Sequence, residues 1–203
     1  MFYNKAFPFI IIVTALFIVK TEMVIAQSSA NVKWVVEKNS TLRVEGRSNV
    51  NRFTCNINEY AEKDTIICFN QPSRSISLTG EIHMDIFSFN CHSSSITKNL
   101  RKTLKAREYP KMTIRFLSLQ GMPALKNKTE LIKGWVEVDL AGIVKRFELN
   151  YSFSRALSGY IQLNGGRSFR FSDFKLSPPQ KLGGLIKVKD DFDVNFQLIL
   201  RTV

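Results

Sequence analysis

Much of this chain alternates apolar and polar residues with a period of two, the pattern of strands that bury one face. The last stretch is the clearest. Phe192, Val194, Phe196, Leu198 and Leu200 fall on one face, and Asp191, Asp193, Asn195 and Gln197 on the other. Phe147, Leu149, Tyr151 and Phe153 alternate in the same way against Arg146, Glu148, Asn150 and Ser152. Ile76, Leu78, Ile82, Met84 and Ile86 repeat the pattern, with Gly80 placed to make a bulge or bend. Met112, Ile114 and Phe116 predict another strand, as do Ile132, Val136, Val138 and Leu140. Further strands are expected over residues 41–46, 50–58 and 160–174. The total is roughly eight strands, antiparallel because most connections are short.

One segment breaks the period. Over residues 95–107 the apolar positions are Ile96, Leu100 and Leu104, spaced by four as on one stripe of a helix. Ser95 or Thr97 is placed to cap its start, and Tyr109-Pro110 to end it, because the residue before proline avoids helical angles. Lys98, Arg101, Lys102 and Lys105 crowd its outer side, a solvated face that could also meet an anionic membrane surface. Many strands with one helix among them predict a sandwich or barrel.

The N-terminus follows a different logic. Lys5 precedes an apolar run over residues 7–19, Lys20-Thr21-Glu22 interrupts it, and Ala26 offers a small residue at a cut. That order predicts a secretory signal peptide over residues 1–26, leaving 27–203 as the exported domain. The run is shorter than the ~20 residues that span a bilayer, so a retained anchor is the weaker reading. No cysteine for lipidation lies near the cut.

Composition adds less. The chain has 44% hydrophobic residues and 16 Phe against 5 Tyr and 2 Trp, so an apolar interior is easily built. The net charge of +12 is spread out, with no run of five or six like charges. Such charge suits nucleic acid, a membrane surface or an acidic partner, and export removes the first. Cys55, Cys68 and Cys91 allow one disulfide in an oxidising compartment, with three pairings open.

Catalytic chemistry is not visible. His83 and His92 are the only histidines, and Cys91 and His92, as strand neighbours, would face opposite ways. No nucleophile-elbow serine and no glycine-rich phosphate loop occur. Asp190, Asp191 and Asp193 read as solvated charge rather than a calcium site. The chain therefore reads as a non-enzyme, without cofactor or metal.

Five stretches together resemble one family. They are Trp34-Val35-Val36; Ser48-Asn49-Val50-Asn51-Arg52-Phe53; Leu104-Lys105-Ala106-Arg107-Glu108-Tyr109-Pro110-Lys111-Met112; Gly134 through Leu140 with Gly142-Ile143-Val144-Lys145; and Phe171-Ser172-Asp173-Phe174 with Pro178-Pro179 and Gly184-Leu185-Ile186-Lys187. In this order they are similar to the YceI-like proteins, exported polyisoprenoid-binding proteins. The resemblance implies an all-β fold: an eight-stranded antiparallel, lipocalin-like barrel with one helix between strands. It also implies a periplasmic location, an apolar cavity holding an isoprenoid lipid such as a quinone tail or polyprenol, and often a homodimer. A subgroup has cysteines placed like Cys55 and Cys91, which implies that disulfide. Phe147, Leu149, Tyr151, Phe153, Phe192, Val194, Phe196 and Leu198 are then the expected lipid-binding positions. Two other readings remain open: a structural or interaction barrel with a filled core and no ligand, and an outer-membrane barrel. The second fits poorly with Lys111, Arg115, Arg146, Glu148 and Asp191 on the alternate faces.

Overall fold

The structure, a computed structural model, describes residues 31–69, 75–125, 128–156 and 159–203. The expected signal peptide lies outside the described residues. Among the described residues, twelve strands and one α-helix are formed. They are β1 (Val32–Val36), β2 (Thr41–Ser48), β3 (Arg52–Ile57), β4 (Thr65–Phe69), β5 (Ile76–Thr79), β6 (Glu81–Asp85), α1 (Ser94–Thr103), β7 (Lys111–Leu119), β8 (Glu130–Leu140), β9 (Ile143–Arg155), β10 (Ile161–Arg170), β11 (Gln180–Lys181) and β12 (Ile186–Thr202).

The pairings are antiparallel and close a ring of eight strands, β1-β4-β5-β7-β8-β9-β10-β12, through β12 back to β1. The long strand β12 serves two neighbours on one edge: Trp34–Val36 pair with its end, at Thr202 to Leu200, and β2 pairs along Gln197 to Val188. β1 and β2 are thus successive pieces of one edge. The break between them is satisfied locally, because the Ser40 hydroxyl accepts from Ile199 N–H (2.9 Å) and Glu37 N–H donates to Ile199 C=O (2.8 Å). The N–H of the buried Ser40 donates to Glu37 C=O (3.1 Å) as well.

Strand breaks explain why the count exceeds the expected eight. β5 and β6 are one alternating stretch bent at Gly80, whose φ is 153° and where an added Cβ would lie 2.4 Å from the Thr65 carbonyl oxygen. Only glycine admits that approach. The expected strand over 160–174 ends at Arg170, and Phe171–Phe174 form a 3-10 turn.

The hairpin β2–β3 continues the wall beside the first half of β12. The outer edge of β3 meets the segment after β6 through an Asn56–Asn90 bridge and a Cys55–Cys91 disulfide (Sγ–Sγ 2.02 Å). Cys68 is free and buried.

The helix α1 buries Leu100 and packs Ile96 against the core. It is shorter than the periodicity predicts. Lys105 takes a left-handed φ of 52°, Ala106 N–H donates to Arg101 C=O (2.9 Å) and Lys105 N–H to Lys102 C=O (3.1 Å). These two bonds close the last turn without the glycine that usually marks such an end. The expected capping hydroxyls are used elsewhere: Thr97 Oγ1 accepts from Cys91 N–H (3.0 Å), and Ser95 Oγ from Lys181 Nζ (2.9 Å).

Candidate functional site

Inward-facing side chains fill one half of the barrel and leave the other partly hollow. The filled half is aromatic and aliphatic. Trp34 lies against Phe153 (ring centroids 5.9 Å), Phe153 against Tyr151 (6.2 Å), and all three are buried with Leu198 and Leu200. The Tyr151 hydroxyl has no hydrogen-bond partner, and burial pushes its pKa up from the ordinary tyrosine value.

Towards α1 the interior opens into a cavity of about 80 Å³. Several strands contribute: Leu42 and Val44 from β2, Met112 and Ile114 from β7, Val136, Val138 and Leu140 from β8, Leu149 from β9, and Phe192, Val194 and Phe196 from β12. Leu100 of α1 and Leu104 just after it close one side, with Phe169, Phe171 and Phe174 beside them. Phe196 reaches the interior across Gly165, where an added Cβ would lie 2.3 Å from its ring.

The eight expected positions therefore divide. Leu149, Phe192, Val194 and Phe196 line the cavity. Tyr151, Phe153 and Leu198 belong to the filled half. Phe147 sits between the two roles, packing edge-on to Phe169 (4.8 Å) and against Phe174 (6.0 Å). The inward faces of β7 and β8 are legible in the alternation but were not expected at the site. Phe171 and Phe174 were missed because the chain turns there instead of continuing as a strand, and Phe169 falls on the inward phase of β10 just before that turn.

Arg167 was also missed, although it carries a signal. It falls on the inward phase of β10 with Ile161, Leu163 and Phe169, where a charge is unexpected. The β9–β10 ladder stops at the Gly166–Asn150 pair although both strands continue. At this seam Arg167 Nη1 donates to the Glu148 carbonyl oxygen (2.9 Å), and its guanidinium lies 5.1 Å from the Phe147 ring centroid. The apolar cavity thus has a single cation at its edge.

A second apolar space, of about 130 Å³, lies between the β2–β3 turn, α1 and residues 179–188. It shares Leu100 and Phe171 with the inner cavity. These two side chains separate an outer mouth from the interior.

Titratable groups elsewhere form a structural cluster. Asp64 accepts from the Tyr60 hydroxyl, from His83 N–H (2.8 Å) and from His83 Nδ1 (3.0 Å). Burial alone would raise the Asp64 carboxyl, but the bonds from Tyr60 and His83 outweigh it and hold its pKa below the usual range. Burial, reinforced by Asp64, pushes the Tyr60 hydroxyl up. Burial likewise pushes the Cys68 thiol up to about 12, which makes it a poor nucleophile. Among the described residues no group of three or more His, Cys, Asp or Glu could hold a metal ion.

The exterior is charged. Arg115 pairs with Glu81 (2.6 Å) and Glu137 (2.9 Å), Lys133 with Glu148 (3.6 Å), and Arg201 with Glu37 (2.8 Å). An apolar inside with ion pairs on the wall is the reverse of a barrel embedded in lipid. Arg101, expected on the free basic face of α1, instead turns back to the carbonyls of Phe87 and Phe89.

No family model and no curated protein sequence matches this chain. Solved structures do. A polyisoprenoid binding domain from Saccharophagus degradans, implicated in plant cell wall breakdown, superposes with a TM-score of 0.60 at 12% identity, covering 84% of this chain and 98% of that one. BcnA of Burkholderia cenocepacia gives 0.58 at 13%, with 79% and 95% covered. The Campylobacter jejuni YceI protein gives 0.50 at 19%, with 70% and 82% covered. With its closed eight-strand ring and its helix between β6 and β7, this chain has the YceI-like fold.

Proposed function

We propose that this chain is an exported, periplasmic binding or carrier protein that holds an isoprenoid lipid, a quinone tail or a polyprenol, in the hollow half of its barrel. One observation carries the reading: an interior cavity walled by apolar side chains from six strands and a helix, sharing Leu100 and Phe171 with an apolar space at the surface. The similarity to a polyisoprenoid binding domain supports it.

Energetics favours transfer over trapping. Removing a methylene from water is worth about 0.8 kcal/mol, so a long isoprenoid does not stay free in an aqueous compartment. A bilayer supplies most of that gain, so net affinity must come from shape and from the headgroup. Arg167 at the seam is the polar group best placed to meet one. The inner cavity is smaller than the ~150 Å³ that accommodates one benzene in a protein core. Uptake therefore requires the phenylalanines at 169, 171, 192 and 196 to swing aside.

That small volume and the filled half favour a second reading, a structural barrel without a ligand. Mass spectrometry of organic extracts from protein purified without detergent from its native host separates the two. A stoichiometric isoprenoid is expected. An extract that stays empty after incubation with quinones and polyprenols would leave the structural reading. Cell fractionation with N-terminal sequencing tests export, with a periplasmic chain starting at Gln27 as the expected result.

A further inference from the structure

The mouth of the cavity has an unusual rim. Val50 in the β2–β3 turn is 62% exposed, and Leu182 and Leu185 are 71% and 75% exposed. The two leucines form the tip of Lys181-Leu182-Gly183-Gly184-Leu185-Ile186-Lys187, an apolar point with a lysine on each shoulder. The tip is held in place. Asn49 Nδ2 donates to Leu185 C=O (2.8 Å), Lys187 N–H donates to Asn49 Oδ1 (3.0 Å), and Lys181 Nζ reaches Ser95 on α1 (2.9 Å). Leu182 itself adopts a left-handed φ of 50°, which side-chain-bearing residues rarely take. At 71% exposed, Leu182 buries little of its side chain among the described residues.

The charge around the rim has one sign. The segments that contribute to the mouth, residues 46–53, 93–107 and 175–189, contain no Asp or Glu, and Lys181 lines it directly, whereas Lys98, Arg101, Lys102 and Lys105 line a separate cleft with Phe87 and Phe89. Of the acids beside these segments, Asp191 pairs with Arg47 (2.5 Å), Glu45 with Arg43 (2.5 Å), and Asp190 accepts from Ser172 N–H (3.0 Å) and its hydroxyl (2.5 Å). Exposed leucines flanked by lysines match a bilayer interface, with apolar tips below the headgroups and cations level with anionic ones.

We propose that the Val50–Leu182–Leu185 rim docks this protein on a bilayer bearing anionic headgroups, seating the mouth against the membrane. Docking stands on the rim alone. Its use, passing lipid between bilayer and barrel without exposure to water, rests on the lipid-binding reading.

The test is flotation with phosphatidylcholine vesicles containing about one third phosphatidylglycerol, against phosphatidylcholine alone. The full chain is compared with Leu182→Asp/Leu185→Asp and Lys181→Glu/Lys187→Glu, so that any contribution of residues 1–30 is common to all. Thermal melting checks that each variant is folded. Wild type should bind the anionic vesicles and be released as salt rises. Each double variant should bind at least about tenfold more weakly. Folded variants that float like wild type would overturn the proposal. So would a wild type that ignores vesicles and self-associates through the leucines, since the rim would then join two copies. Uptake of a short polyprenol from detergent, measured in parallel, should be unchanged in Leu182→Asp/Leu185→Asp. If wild type takes up none yet still floats, the cargo reading fails and docking stands.

Discussion

Neighbouring residues on one strand face have different duties here, and substitutions should separate them. Phe153 is packed between Trp34 and Tyr151, so Phe153→Ala should cost about 3–5 kcal/mol in chemical denaturation. Val194 lines the hollow half, so Val194→Trp should cost no more than about 1–3 kcal/mol while removing the isoprenoid from organic extracts. If Val194→Trp carries lipid at the wild-type level, the cavity is not the site. The unpartnered Tyr151 hydroxyl makes Tyr151→Phe neutral, or stabilising by up to about 1 kcal/mol. Cys68 and the two buried tyrosines also set the alkaline limit. Their pKa values are higher in the folded chain, so the unfolded chain loses these protons first as pH rises. Stability that is complete below pH 9 should fall as the pH climbs towards 12, and Cys68→Ala should flatten the first part of that fall in urea titrations at stepped pH. None of these differences shows in the alternation, which marks Phe153 and Val194 alike as inward.

The elements carry the joins between the walls. β3 lacks a full strand neighbour on its outer edge, and the Cys55–Cys91 disulfide closes a separation of 36 residues across that gap. Chain-entropy arguments put its contribution at about 3–4 kcal/mol, so Cys55→Ser/Cys91→Ser should lower the unfolding free energy by that amount and move the denaturation midpoint down accordingly. A midpoint that does not move would mean that the bridge and its packing do not constrain this edge. The Tyr60–Asp64–His83 cluster ties the loop before β4 to β6. The Asp64 carboxyl is lower in pKa when folded, so its contribution is present above the unfolded carboxylate pKa and lost as pH falls through the folded one. Asp64→Asn should therefore reduce the acid dependence of stability. The helix was legible from Ile96, Leu100 and Leu104, but its early end was not. A left-handed Lys105 closes it, a choice imposed by tertiary packing at a residue with no preference for that conformation.

At the scale of the whole molecule, polarity runs the opposite way from an embedded barrel: apolar within, ion-paired without. The protein should therefore be released from membranes by salt, without detergent. A detergent requirement would overturn both this reading and the peripheral character of the rim. The fold sets Lys181 at the cavity mouth, against α1. Segments separated by more than 80 residues, such as those holding Ser95 and Lys181, meet there. The resemblance to YceI-like proteins was visible in short motifs, while comparison with solved structures finds the same fold at 12–19% identity and no curated sequence matches.

Alternation along each strand determined that the chain is all-β, which residues face inward and where the helix interrupts. Those are local properties, set by a repeat of two against a repeat near four. The tertiary structure decided that the strands close into one ring and that half of the interior is filled. It also decided that Arg167 sits at a seam and that two exposed leucines stand beside an opening. These depend on side-chain volumes from several strands meeting at one height in the barrel, and no single stretch of sequence carries that sum.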